Sequence, residues 1–164
     1  MAGFDTYLQI EGVPGESLDE KHKDWIELLG FDHKMDQPTS SSKGSAGGAA
    51  TGRTVHSDFV IHKLIDKSSP KLYEAVSSGK HFKKCKLEVC RAGGSQLKYY
   101  EVTLEEVLIS HVGISKSGED GGVPTESISF NYGKIEWTYT QQKRADGSGG
   151  GNVTAKYDLT AGKV

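Results

Sequence analysis

The sequence predicts an all-β fold with one short α-helix, arranged as a β-barrel of two sheets. Three observations predict it. Apolar residues recur at every second position through most of the chain, the period of a half-buried strand. Clusters of Gly, Pro, Asn, Asp and Ser punctuate these runs as turns. Helical spacing occurs in one place only, near residues 70–78. The 164 residues fit a single domain, 1–164, able to bury roughly 70% of its unfolded surface.

Phe4 to Ile10 alternates as a first strand and closes at the Gly12-Val13-Pro14-Gly15 turn. A polar stretch from Glu16 to Asp24 leads into a long second strand from Trp25 to Met35, interrupted at Gly30. Residues 53–66 alternate again, placing Val55, Phe59, Ile61 and Ile65 on one face. A helix follows, with Ser69 as its cap, Pro70 at its first position, Leu72, Ala75 and Val76 as an apolar stripe and Gly79 as its stop. Leu87 and Val89 mark a strand over 81–91, and the run 97–110 changes parity between Leu104 and Val107.

One long strand is then expected from Ile128 to Tyr139. Ile128, Phe130 and Tyr132 share one parity, and Ile135, Trp137 and Tyr139 share the other. An extra residue near Gly133 would restore the inward face, as a β-bulge does. Val153 to Leu159 makes a last short strand after the glycine-rich turn from Asp146 to Asn152. The expected core includes Phe59, Leu72, Val76 and Trp137.

The stretch Thr39–Gly52 has no apolar period and is built of Gly, Ser, Ala and Thr with one Lys. A loop this long inside a compact domain is either a flexible tip or a segment ordered by a partner.

Charge and motifs exclude several functions. Lys+Arg total 20 against 22 Asp+Glu, a net −2, without the basic excess of a nucleic-acid binder. No apolar run approaches the roughly 18 residues of a membrane span, so no membrane insertion is expected. Met1 to Ile10 lacks a basic-then-apolar layout, so the expectation is cytoplasmic synthesis without a Sec leader. Gly79-Lys80 is followed by His81, and Glu74 stands where a phosphate loop needs Gly. Glu105 and Glu106 alternate across a strand and cannot act as an acid/base pair. The lysines of the run Lys80–Lys86 read as solvent-facing or edge-protecting residues rather than a phosphate strip.

His56 and His62 would lie about 20 Å apart along a strand, and His22 and His33 have no His or Cys at ligand spacing. Cys85 and Cys90 would lie about 16 Å apart on opposite faces, too far for a disulfide. The expectation is therefore a non-enzyme with no catalytic residue, no cofactor and no metal ligand.

Several segments, read together, resemble the haemolysin-coregulated protein (Hcp) family, the inner-tube protein of bacterial type VI secretion. The opening strand and turn Phe4-Asp-Thr-Tyr-Leu-Gln-Ile-Glu-Gly-Val-Pro-Gly-Glu-Ser17 is similar to the family's start. Ser57 to Leu72 carries the family's K-x-x-D-K-x-S-P-K-L pattern, running from a strand into the single helix. Ser78-Gly-Lys-His-Phe82, Val102 to Ser110, and Pro124 to Tyr139 follow in family order.

The resemblance implies a barrel with one flanking helix, assembled as a homo-hexameric ring. Rings would stack into a tube, with a contractile sheath around it, a spike protein at its tip and small effector proteins in its channel. Assembly in the cytoplasm would precede secretion through the apparatus, and no toxin domain is expected beyond the tube domain. The loop after the second strand would take part in ring contacts and stacking, through Ser42, Lys43, Gly44, Ser45, Gly47, Gly48 and Thr51. Asp32, Lys34 and Asp36 share one face of the second strand and are the candidates for lining the channel. An alternative function is a small-ligand or carbohydrate-binding barrel or sandwich using Trp25, Trp137 and the tyrosines as platforms.

Overall fold

The computed structural model describes residues 4–39, 53–92, 96–116, 122–142 and 149–164. Eleven strands and one helix are assigned among them. The strands are β1 Phe4–Ile10, β2 Ile26–Leu28, β3 Gly30–Asp32, β4 Met35–Asp36, β5 Val55–His56 and β6 Phe59–Leu64, followed after the helix by β7 His81–Arg91. They continue as β8 Lys98–Ser115, β9 Thr125–Asn131, β10 Lys134–Gln142 and β11 Gly149–Asp158. The helix α1 spans Ser69–Ser78.

The all-β expectation holds, but its barrel form needs correcting. Seven strands of the nine-stranded main sheet follow the hydrogen-bonded order β2-β1-β7-β8-β9-β6-β3, a path with two ends rather than a closed ladder, and β10 branches from β8 and carries β11. The second sheet is only the ribbon β4–β5. The two ends of the path are successive pieces of one segment. Ile26–Leu28 pairs with β1, Gly30–Asp32 pairs with β6, and the chain changes partner at Leu29. The Leu29 amide itself donates to the His62 carbonyl at 2.7 Å. The second strand of the sequence is thus three short strands, interrupted one residue earlier than Gly30 implied.

Inward-facing side chains from both halves of the sheet fill one core. Leu8, Ile10, Ile26, Phe59, Ile61, Leu87, Val102, Leu104, Ile128, Phe130 and Ile135 are all at most 3% exposed. Leu72 and Ala75 of α1 cover one end of it. Phe59 and Leu72 lie in this core, whereas Val76 and Trp137 are half-buried against it. Val55 (53% exposed) and Ile65 (39%) leave the face that they were expected to share with Phe59 and Ile61.

The parity change in β8 sits at Glu106, whose φ of 56° is rare for a residue with a side chain. Before that point β8 pairs with β10, and after it with β9. The strand expected from 128 to 139 breaks opposite the same place, at Tyr132-Gly133, leaving β9 and β10 as separate strands. Gly133 donates its amide to the Glu105 carbonyl at 3.0 Å. A Cβ at Gly133 would stand 2.5 Å from Glu106 Oε2 and 3.2 Å from both Glu106 Cβ and Thr160 Cγ2, so a side chain here would displace the Glu106 carboxylate and crowd the kink.

Helix α1 begins one residue early and is capped differently from expectation. Its N-cap is Ser68, which makes no side-chain cap bond, and Ser69 is the first helical residue. The Asp66 carboxylate holds the turn instead, accepting from the Ser68 amide at 2.8 Å and from the Ser68 hydroxyl. The C-terminal stop is as expected, with Gly79 at φ 68°.

Residues 15–25 leave the sheet and return. Gly15 donates to the Asp24 carbonyl at 2.7 Å and Ser17 to the Trp25 carbonyl at 3.1 Å, tying the two ends together. A Cβ on Gly15 would meet the Trp25 carbonyl oxygen at 2.3 Å. This excursion lies over the outer face of β1 and β7, where Tyr7 stacks on His22 with ring centroids 4.3 Å apart.

Candidate assembly surfaces

Two polar clusters fix the parts of the fold on which the outer surfaces depend. The first is inside the core. Phe59, Ile61 and Lys63 share the inward parity of β6, and their partners on β9 are Phe130, Ile128 and Glu126. Lys63 is fully buried and Glu126 is 2% exposed. Lys63 Nζ lies 2.5 Å from Glu126 Oε2 and 3.0 Å from Asp66 Oδ1, and it donates to Ser69 Oγ at 3.0 Å and the Leu64 carbonyl at 2.9 Å. The Ser69 hydroxyl donates to Glu126 Oε2 at 2.9 Å, and Tyr73 donates to Oε1. Every charge in the cluster is therefore paired, as burial demands. The cluster welds the start of α1 to β6 and β9. Burial and the Glu126 carboxylate together push the Tyr73 phenol up to about 12.

The second cluster joins the ribbon to the sheet. The Tyr132 hydroxyl lies 2.5 Å from His33 Nε2 and 3.2 Å from His56 Nδ1. It also donates to the Ser57 carbonyl at 3.3 Å. Burial lowers the pKa of both imidazoles, and in His33 the neighbouring His56 adds to the effect. His56 stacks on Tyr157 at 5.0 Å and packs beside Trp137 at 6.2 Å. Trp137 thus braces the ribbon instead of standing as an open platform, and Trp25 packs edge-on against His22 at 4.8 Å.

Two of the outer surfaces are candidates for contact with another chain. One is a groove of about 420 Å³ lined by Phe4, Leu29, Leu64, Ile65 and Val123, among others. These five apolar side chains are 39–61% exposed. They come from four separate parts of the chain, which the partner change at Leu29 brings together. The other is β11, which pairs only with β10. Its residues 150–156 are all exposed, including Val153 at 69%, which faces Tyr139 across the ladder. A ten-residue strand with one open edge is a template for pairing with another chain.

The sequence singled out neither surface. The exposed apolar residues of the groove are adjacent only after folding, and an edge strand is not distinguishable from an interior one by its own alternation. Asp32, Lys34 and Asp36 are all exposed, with Asp32 Oδ2 2.8 Å from His62 Nε2. The loop residues Ser42, Lys43, Gly44, Ser45, Gly47, Gly48 and Thr51 lie outside the described residues. The ribbon β4–β5 forms the base from which that loop departs, with Met35 paired to His56 and Asp36 to Val55.

Residues 7–139 match the family model described as type VI secretion system effector, Hcp. The chain is 38% identical over 156 residues to "Protein hcp1" of Pseudomonas aeruginosa, covering 94% of each chain. It is 32% identical over 136 residues to the "Major exported protein" of the same organism, covering 79% of this chain and 77% of that one. A solved type six secretion system protein superposes with a TM-score of 0.92 at 31% identity, over 98% of this chain and 99% of the other.

Proposed function

This chain belongs to the Hcp family of the type VI secretion system, and from that membership we propose that it is the repeating subunit of the secretion tube. Six copies close into a ring, and rings stack into a tube within a contractile sheath, ending at a spike protein. Small effector proteins travel in the channel. After assembly in the cytoplasm the subunit is itself exported. It works by binding and stacking, not by catalysis.

The observation that carries this reading is the family match over 7–139. Two features of the surface support it. A cyclic ring needs two different, complementary patches on each subunit, one meeting the other on the next copy. The groove around Leu29 and Ile65, which also carries the carboxylates of Asp5, Glu16, Glu27 and Asp66, and the open edge of β11 are two such patches. Each is a liability in an isolated chain, and each is covered when the β10–β11 hairpin of one copy docks into the groove of the next. The polar residues Asp32, Lys34 and Asp36 then face the channel, where a surface without apolar anchors lets cargo leave. The 42–51 loop bridges from one ring to the next.

Mass in solution tests the ring and the patch together. Light scattering in reducing buffer should give about 106 kDa, six times the 17.7 kDa chain. Leu29→Lys and Ile65→Lys, combined, should shift that species to 17.7 kDa while the circular dichroism stays unchanged. A hexamer that survives the double substitution would remove the groove from the ring contact. A wild-type chain that stays monomeric at every concentration would remove the ring itself.

A further inference from the structure

The excursion 15–25 places a histidine where the sheet offers a carboxylate and a thiol. Glu88 and Cys90 are two apart on β7, and so are on the same side of the strand, while Cys85 belongs to the main core on the other side. His22 descends onto them, and is 2% exposed; Cys90 is fully buried. His22 Nε2 lies 2.5 Å from Glu88 Oε2 and 3.8 Å from Cys90 Sγ. The three ligand atoms all fall within 4.8 Å of one another. On the far side of the ring, Nδ1 lies 2.5 Å from Asp19 Oδ1.

We propose that His22, Glu88 and Cys90 form a site for one divalent transition-metal ion of the zinc class. The donor set of imidazole, carboxylate and thiolate is the mixture that such ions take. Tetrahedral zinc with ordinary bond lengths holds N and S about 3.6 Å apart, close to the 3.8 Å spacing of Nε2 and Sγ. The same geometry needs Nε2 and Oε2 about 3.3 Å apart, so the Glu88 carboxylate swings back from its 2.5 Å contact to admit the ion. Asp19 accepts from Nδ1–H and so fixes the tautomer that leaves Nε2 free to ligate, the usual outer partner of a metal-bound histidine.

A second observation points to the same place. A cleft of about 250 Å³ opens on the cluster and is lined by His22, Trp25, Glu88, Gln96 and Lys98, among others. Gln96 Oε1 is the buried side-chain oxygen without a hydrogen-bond partner among the described residues. A water in the fourth coordination position would donate to it, which gives that orphaned acceptor a partner. The cleft is also the entry path.

The charges close. Binding converts the Cys90 thiol to a thiolate and displaces the proton held between His22 Nε2 and Glu88 Oε2: the S–H bond breaks, S–metal and N–metal bonds form, and both protons leave to solvent. The two positive charges of the ion then meet Glu88, Asp19 and the thiolate, while Lys98 Nζ lies 3.5 Å from Glu88 Oε1 and 2.5 Å from Glu101 Oε2, and Lys86 Nζ lies 3.6 Å from Glu101 Oε1.

The test uses the full chain, reduced with a phosphine and stripped with a chelator, then titrated with Co²⁺ and with Zn²⁺. One equivalent should bind, and the Co²⁺ form should show a near-ultraviolet thiolate-to-cobalt charge-transfer band that Zn²⁺ abolishes. Cys90→Ala and Cys90→Ser should each remove the band and weaken binding by at least about 100-fold, whereas Cys85→Ala should change neither. Asp19→Asn should keep the band and weaken binding about 10–100-fold. Absence of saturation at one equivalent would overturn the site, as would a band that persists without Cys90 or disappears without Cys85. If both Cys90 variants fail to fold, Asp19→Asn decides: unchanged affinity overturns the proposal, and the stated loss supports it.

Discussion

At the scale of single residues, the titrating groups set how the subunit responds to acid. His33 and His56 both have pKa values held below the ordinary 6.5, chiefly by burial. In the unfolded chain they take up protons near 6.5, before the folded chain does. Between that point and the lower folded values the unfolded state binds more protons, so stability falls as pH falls. The lowered Glu101 adds to the loss at lower pH: burial opposes its charge, but Lys98 and Lys86 outweigh burial. Thermal melts from pH 7.5 to 5.5 should therefore show a steady loss, and the double variant His33→Gln, His56→Gln should flatten that slope. An unchanged slope would mean that these two rings do not titrate between the folded and unfolded states.

Residues of this kind were the least legible part of the chain. Lys63 sits at an inward position between Ile61 and Leu64, and by composition a lysine reads as solvent-facing. What allows its burial is Glu126, 63 residues away. Likewise His22 has no ligand at short spacing, because Glu88 and Cys90 lie 66 and 68 residues along. Local spacing cannot register a pair that only tertiary folding creates.

At the scale of elements, alternation served well wherever a strand keeps one face against the core. β1 spans the expected Phe4–Ile10, and β7 the expected 81–91. The parity changes near Leu104–Val107 and at Gly133 were visible separately; that they are one event, a shared kink at which β8 changes partner, required the pairing of the strands. The helix was legible through Pro70 and Gly79, but its start was not, since the Ser69 hydroxyl turns inward to Glu126 instead of capping. That inward turn makes α1 dependent on the buried cluster. Glu126→Ala leaves Lys63 without its main partner in the core and releases Tyr73 and Ser69. The expected cost is about 3–5 kcal/mol, the usual result of breaking a buried ion pair from one side. Urea unfolding at fixed protein concentration measures it, and a loss below about 1 kcal/mol would show that Asp66 suffices as the counter-charge.

At the scale of the whole molecule, the resemblance carried more than periodicity could. Alternation leads to an all-β domain and stops there, whereas the ordered motifs from Phe4 to Tyr139 lead to a tube-forming family. Deleting residues 42–50 should leave the fold and the ring intact while reducing stacking and export. Analytical ultracentrifugation for rings against tubes, with an export assay in the producing cell, would check this. Unchanged export would remove the loop from any role between rings.

The segment 26–32 has a mechanical consequence. Because one half is bonded to β1 and the other to β6, with the Leu29 amide bonded to His62 between them, a pull along this segment loads both ladders at once. Bonds sheared together resist far more than bonds opened one by one. The domain is therefore stiff along that direction and soft across it, where either ladder can peel from its end. In the tube we propose, a subunit pushed along the tube axis benefits when that stiff direction lies along the thrust.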